Sequence, residues 1–339
     1  MQESANGGGA GTNVPLSQIA EALRASRDVL VLTHRNPDGD AVGSAAALSA
    51  ALRGMGATVT VLCPDAVPGY LLKVPGAGEI GHVIERNDYD IVVTVDVSDP
   101  TLLKPLPAME PSFFQERRSI NIDHHYSNLF YASLNHVDVE AASATEIVGK
   151  LLKDELKIAY TKEIASDLLY GVVNDTHSFQ NQNTSANTLR FSADLVEAGA
   201  DLSAIVFNLL LEKRVTAARL WAEALPTLRF AEGEHVAFLT VSLEALARAG
   251  GTLEDADGLV EFLRNIQGVD LAVLLKQTAP NEYRLSLRTS NAVDATIVAG
   301  TFGGGGHQRA SGGDAEGNLK EIERRIVEVY RANHSSGAG

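Results

Sequence analysis

The chain has 339 residues, 45% hydrophobic and 21% charged, with 28 Lys plus Arg against 43 Asp plus Glu for a formal charge of -15. That composition excludes a disordered chain, and at about 150 residues per domain the length suits two domains. The acidic balance excludes a broad basic face for long duplex nucleic acid, but leaves room for a short anionic ligand where bound cations reverse the local field. No apolar run reaches the ~18 residues of a membrane span, and nothing at the N-terminus reads as a signal peptide, so no membrane partner is expected. A single cysteine, Cys63, rules out a disulfide within the chain and a cysteine-based zinc site. A cytoplasmic location is expected, and any metal chemistry falls to carboxylates and the nine histidines.

The glycines at 7–9 and 11 read as a disordered lead-in. Helical spacing over 16–27 is followed by a short β-branched run at 29–32, predicted as a buried strand that ends on Thr33-His34. A polar turn leads into an Ala- and Leu-rich helix over about 42–53. Strands are predicted at 58–62, at 91–95 ending on Asp96, and at 119–122 ending on Asp123-His124-His125. Helices follow over roughly 144–153 and 162–173. Asn183-Thr184-Ser185 offers helix-capping chemistry, and helical spacing continues to about 228 with breaks at Gly199 and near Val215. A second unit starts near Phe230, with strands at 236–241, 269–276 and 283–288 and helices over 258–265, 292–302 and 319–331. Strands alternating with helices predict a doubly wound parallel sheet followed by a smaller α/β domain.

Three predicted strands carry ionisable residues at their C-terminal ends, where open α/β sheets bind ligands. Pro37 and Gly39 force a tight turn that gathers His34, Asp38 and Asp40; taken alone, the two carboxylates serve equally as helix caps. Asp96 ends a buried apolar strand, a costly position for a carboxylate unless it is paired or metal-bound, and ordinary for a surface strand end. His124 and His125 are adjacent and point different ways, so one can bind metal while the other faces substrate; a pair of half-buried loop histidines would look the same. Asp175 ends an apolar helix, where a turn residue is also common. Together the set offers two histidines and four aspartates, an inventory for two divalent cations sharing one carboxylate. Imidazole and carboxylate donors suit manganese, iron or zinc better than calcium. Two such ions about 3.5–4 Å apart promote in-line displacement at phosphorus.

The series resembles the DHH phosphoesterase family, named for its Asp-His-His motif, here Asp123-His124-His125. The stretch from His34 to Ser44 is similar to the family's first motif, Asp96 to its second and Asp175 to its fourth. Gly303-Gly304-Gly305-Gly306-His307 with Ala310-Ser311-Gly312 is similar to the C-terminal domain of the nucleic-acid-directed branch. The length and layout are most similar to the nanoRNase/pAp phosphatase group. The resemblance implies one manganese(II) held by His34, Asp38 and Asp96 and a second by Asp40, Asp96, His124 and Asp175, other divalent cations being admissible. It implies that His125 contacts the scissile phosphate, and that Arg288, Ser290, Gly304, Gly305, Gly306 and His307 bind substrate. Asn174, His177 and Gln180 depart from the residues many members carry, which bears on substrate preference and leaves the metal set intact.

On this reading, 1–15 is lead-in, 16–185 the catalytic domain, 186–229 a helical connector, 230–332 the substrate-binding domain and 333–339 a disordered tail, with the active site in the cleft between the domains. The expected activity is hydrolysis of short single-stranded RNA or dinucleotides, about two to five nucleotides long on the scale of a small single-strand site, and of pAp to AMP and phosphate, by a metal-bridging hydroxide. A homodimer is an admissible assembly. Alternatives are a phosphodiesterase for cyclic or linear dinucleotides, an inorganic pyrophosphatase, and a non-catalytic nucleotide sensor. The glycine run argues against pyrophosphate, which has no base or sugar to grip, and a full ligand set argues against a sensor.

Overall fold

The computed structural model describes residues 12–86, 88–106, 113–114, 117–290 and 293–334. Residues 1–11 of the expected lead-in and 335–339 of the expected tail lie outside the described residues, whereas 333 and 334, expected in a disordered tail, end the C-terminal helix. The chain divides into two compact units between residues 212 and 213.

The first unit runs α1 (Leu16–Arg24), β1 (Asp28–Leu32), α2 (Gly39–Gly54), β2 (Thr58–Leu62), β3 (Ile91–Val95), β4 (Ser119–Asp123), β5 (Leu134–Val137), α3 (Ala144–Lys150), α4 (Lys162–Asp175), α5 (Ala186–Glu197) and α6 (Leu202–Val206). Its five strands form one sheet in the order β2-β1-β3-β4-β5, and every pair is parallel. Strand β3 is buried along its whole length, as expected for a central strand covered on both faces, where each fully buried Val or Ile contributes about 1.5–3 kcal/mol. One face carries Val29, Val31, Val93 and Ile122 against α2 and α4; the other carries Leu30, Leu32 and Val92 against Leu103, Phe114 and Tyr131. The strand order reverses between β1 and β3, which makes their C-terminal ends the natural ligand crevice of the sheet.

Strand β5 was not predicted. It is a short, half-buried edge strand with Asn135 and His136 inside it, so it carries little apolar signal. Asn13 and Val14, which fall in the expected lead-in, pair with it: Val14 N–H donates to Asn135 O at 2.7 Å and Val137 N–H to Asn13 Oδ1 at 2.9 Å. The expected connector is shared between the units, α5 and α6 in the first and the next helix in the second.

The second unit runs α7 (Val215–Ala224), β6 (Arg229–Ala231), β7 (Val236–Val241), α8 (Leu243–Ala249), α9 (Leu259–Arg264), β8 (Leu271–Ala279), β9 (Glu282–Thr289), α10 (Ala295–Gly300), β10 (Gly305–His307), β11 (Ala310–Glu316) and α11 (Leu319–His334). The sheet order is β10-β11-β9-β8-β7-β6, parallel only between β7 and β8. Alternation along the strands splits its core. Leu239, Val241 and Leu274 pack with Leu220, Leu259 and Leu263; Phe238, Val273 and Leu287 pack with Val298, Ile322 and Ile326 on the opposite face. The glycine run, where the sequence predicts no strand, is partly strand, β10 pairing antiparallel with β11. A Cβ on Gly304 would lie 2.0 Å from Gly312 O, and one on Gly306, whose φ is +140°, 2.6 Å from Ala310 O. Close backbone approach inside this hairpin therefore demands glycine at both positions. No helix among the described residues is long and apolar enough to cross a membrane.

Candidate metal centre

The turn after β1 brings two carboxylates to the sheet edge by different means. Asp38 caps α2, its Oδ1 accepting from Asp40 N–H at 2.9 Å and Ala41 N–H at 3.1 Å. Capping through Oδ1 leaves the second carboxylate oxygen able to serve as a ligand, so the two roles are compatible in one side chain. Asp40 is fully buried and accepts from the first N–H groups of α3, Ala144 at 2.6 Å and Thr145 at 2.9 Å, where the helix dipole favours negative charge. Gly171 of α4 makes this possible: a Cβ there would lie 2.5 Å from Asp40 Oδ1 and 2.4 Å from the Thr145 side chain.

His34 sits half-buried after β1. Its Nδ1 is 2.8 Å from Arg35 O; a carbonyl only accepts, so Nδ1 carries the proton and Nε2 faces Asp96 Oδ2 at 3.3 Å. The Cys63 thiol donates to His34 O at 3.2 Å, and burial pushes that thiol up to about 11, which makes it inert. Asp96 ends β3 with φ +58°, a left-handed conformation that costs a non-glycine residue about 1–2 kcal/mol. Its Oδ1 is buried without a hydrogen-bond partner, as is His124 Nε2. His124 Nε2 lies 3.2 Å from Asp175 Oδ2, 3.6 Å from Asp96 Oδ1 and 3.8 Å from Asp40 Oδ2.

Three groups of acidic and imidazole side chains emerge among the described residues, His34–Asp38–Asp96, Asp40–His124–Asp175 and Asp96–Asp123–His124–His125, the donor atoms of each within 4.8 Å of one another; the first two are the candidate ligand groups. Asp96 faces both through its two oxygens, Oδ2 toward His34 and Oδ1 toward His124. The electrostatics of so many acids in one place are unfavourable without cations. Burial, then the charge of Asp175, pushes the Asp40 carboxyl up to about 7. Burial, then Asp40 and Asp38, raises Asp96 well above the usual carboxylate range. Burial depresses His124, but the approach of Asp175 and the charge of Asp40 outweigh it and lift the imidazole to about 9. Orphaned buried donor atoms, converging carboxylates and imidazole nitrogens fit a pair of divalent cations, which would replace this mutual repulsion with attraction.

A polar network missed by the sequence reading supports the centre from below. Asp123 Oδ1 accepts from His125 Nδ1–H at 2.8 Å and from His124 N–H at 2.8 Å, and Oδ2 accepts from Asn128. Although burial works to raise it, the hydrogen bond from His125 leads the interactions that hold the Asp123 carboxyl below its usual value. Asn128 also donates to Asn121 Oδ1 at 2.8 Å, and Asn121 donates to Thr94 Oγ1 at 2.9 Å and Tyr131 OH at 3.1 Å. The sequence signal was present in Asn121, Asp123 and Asn128, polar residues in and just after a strand buried throughout. His125 is left with Nε2 free of this network and its side chain one-third exposed. His177 follows Asp175 in a left-handed turn with φ +48°, +55° and +65° at His177, Ser178 and Phe179. Gln180 is exposed.

In the second unit the register places His307, Ala310 and Arg288 in one row across β10, β11 and β9. Arg288 is held by Glu261 at 3.0 Å, and Ser290 Oγ donates to Asp270 Oδ1 at 3.1 Å. The His307 side chain lies outside the described residues.

Comparison with known proteins gives a consistent picture. Residues 28–172 match the DHH family N-terminal domain and residues 234–332 the DHHA1 domain. The chain is 30% identical over 316 residues to the bifunctional oligoribonuclease and PAP phosphatase NrnA of Thermus thermophilus, covering 92% of both chains. It is 25% identical over 288 residues to the protein of the same name from Bacillus subtilis, covering 84% of this chain and 88% of that one. Among solved structures, an exopolyphosphatase-related protein from Bacteroides fragilis superposes with TM-score 0.83 at 22% identity, covering 95% of each chain.

Proposed function

The chain belongs to the DHH family and carries a DHHA1 domain, which makes it a phosphoesterase; on that premise we propose that it hydrolyses short oligoribonucleotides to mononucleotides and pAp to AMP and phosphate. The observation that carries the reading is Asp96 set between two ligand groups, its Oδ2 3.3 Å from His34 Nε2 and its Oδ1 3.6 Å from His124 Nε2. His34, Asp38 and Asp96 would hold one divalent cation and Asp40, Asp96, His124 and Asp175 the other; this mixed imidazole–carboxylate set suits manganese, iron or zinc, and manganese is the ion proposed from the family resemblance. When bound, such a pair supplies Lewis acidity toward the phosphate and an activated water.

The protein's own contribution is placement. Asp123 fixes the His125 ring through Nδ1, so Nε2 is presented to a phosphate oxygen in one orientation, where a contact that tightens as charge develops lowers the barrier. The α3 N–H groups hold Asp40, and Asp96 presents Oδ2 toward His34 and Oδ1 toward His124, so both carboxylates are placed before any ligand arrives. Within the second unit, the residues assigned to nucleotide binding are Arg288, Ser290 and the 303–307 run. Arg288 is already oriented by Glu261 and Ser290 by Asp270.

The test is a set of initial rates of the full chain with manganese on a diribonucleotide, pAp, pyrophosphate, a cyclic dinucleotide and single-stranded RNAs up to ten nucleotides or more. Turnover of the dinucleotide and pAp, falling steeply with RNA length, supports the proposal. Preference for pyrophosphate, for the cyclic dinucleotide or for the longest RNA defeats it.

A further inference from the structure

Tyr126 directly follows His125 and is 94% exposed, the highest value for any large apolar or aromatic residue among those described. Within that set its hydroxyl has no hydrogen-bond partner and its ring no aromatic or cationic neighbour. Single exposed apolar side chains are ordinary on protein surfaces. The support beneath this one is what distinguishes it.

Tyr126 and Ser127 are the central residues of a turn closed by Asn128 N–H donating to His125 O at 3.2 Å. The Asn128 side chain is buried, bonded to Asp123 and Asn121, and accepts from Phe130 N–H at 2.7 Å. Leu129 N–H donates to Ser98 O at 2.9 Å, joining the turn to the segment after Asp96. The turn is thus fastened to the same network that orients His125, and an aromatic ring is carried at its tip on rigid backbone. Consecutive Cα atoms are about 3.8 Å apart, so this ring starts one residue from the imidazole aimed at phosphate and two from a metal-binding one.

We propose that Tyr126 is a stacking platform for the nucleobase joined, through its sugar, to the phosphate held at the metal centre. The inference rests on the nucleotide-hydrolase reading above and names a specificity element within it. Every base has a π-face, so a tyrosine platform selects nucleotides over base-free phosphates without selecting sequence. A ring with two side-chain torsions on a fastened turn loses little freedom when a base settles on it.

The test measures binding to the manganese-loaded full chain by titration calorimetry, with AMP and ribose 5-phosphate as probes, for wild type, Tyr126→Ala and Tyr126→Trp. The wild type should bind AMP more tightly than ribose 5-phosphate. Tyr126→Ala should weaken AMP by about five- to 150-fold, the range that stacking one base on an aromatic spans, and leave ribose 5-phosphate unchanged; Tyr126→Trp should bind AMP as wild type does. AMP affinity unchanged in Tyr126→Ala, an equal loss for both probes, or no binding of AMP by wild type overturns the platform. Dinucleotide turnover measured alongside separates the two readings. A wild type that turns over dinucleotides while Tyr126→Ala binds AMP normally defeats the platform alone, whereas Tyr126-dependent AMP binding without turnover defeats the hydrolase reading and leaves the platform standing.

Discussion

Gly171→Ala adds one methyl group at the point where α4 meets the buried Asp40. The new Cβ would lie 2.4 Å from Thr145 Oγ1 and Cγ2 and 2.5 Å from Asp40 Oδ1, against an ordinary contact near 3.5–4.0 Å. Relief needs a shift of about 1 Å or more, and neither neighbour can yield alone. Asp40 is pinned by the Ala144 and Thr145 N–H groups, and Thr145 Oγ1 is bonded to Ser143 Oγ at 2.8 Å. Either α4 backs away from α2 or Asp40 loses a charge-assisted hydrogen bond. Overpacking costs about 1–3 kcal/mol and such a bond about 1.5–3 kcal/mol, so a loss on the order of 2–4 kcal/mol is expected. That corresponds to a fall in Tm of roughly 4–16 °C for a unit of this size. Displacing Asp40 should also weaken manganese binding by about 10–100-fold, as losing ligand support does. Thermal unfolding and manganese titration of the variant check both effects. A Tm within a degree of wild type together with unchanged manganese affinity would refute the reasoning.

Three further outcomes are expected. Asp167 is buried in α4 and accepts from Gly76 N–H at 3.2 Å, and burial pushes its carboxyl from 3.8 up to about 7. Between those values the folded chain keeps a proton that the unfolded chain has lost, so stability falls as pH rises from about 4 to 7 and stays low above. At 1.36 kcal/mol per pH unit this is up to about 4 kcal/mol. Asp167→Asn, which retains an acceptor for Gly76, should therefore raise Tm at pH 8 by several degrees and by progressively less as pH drops toward 4; a gain independent of pH would contradict the assignment. His124→Ala should lower bound manganese, whereas His125→Ala should keep the metal and lower kcat, and metal analysis showing the reverse would exchange their roles. Asn128→Ala leaves Asp123 Oδ2 and Asn121 Oδ1 without their shared donor, which should cost about 2–4 kcal/mol and lower kcat through a less fixed His125. Full activity in a destabilised Asn128→Ala would show that the network serves folding alone.

The sequence was most readable where a buried apolar strand stopped abruptly at an ionisable residue. Val29 to Leu32, Ile91 to Val95 and Ser119 to Ile122 carry strong strand signal, and His34, Asp96 and Asp123-His124-His125 stand where that signal ends. The parallel order of those strands then fixes which ends meet. The edge strand at 134–137 was not readable, because an edge with Asn135 and His136 has neither the alternation nor the apolar content of a central strand. The hairpin of 305–307 with 310–316 was not readable, because glycine there answers to backbone crowding against Gly312 and Ala310, which composition does not reveal. The Asn121–Asn128–Asp123 network escaped for a related reason. Each residue is unremarkable alone, and their connection exists only once β4 and the following turn are folded.

Anomalous diffraction at the manganese edge from crystals of the full chain grown with manganese tests the shared-carboxylate centre most directly. Two peaks about 3.5–4 Å apart are expected, one against His34, Asp38 and Asp96 and the other against Asp40, Asp96, His124 and Asp175. A single peak, or two peaks that leave Asp96 bound to only one of them, would contradict a centre built on that bridging carboxylate.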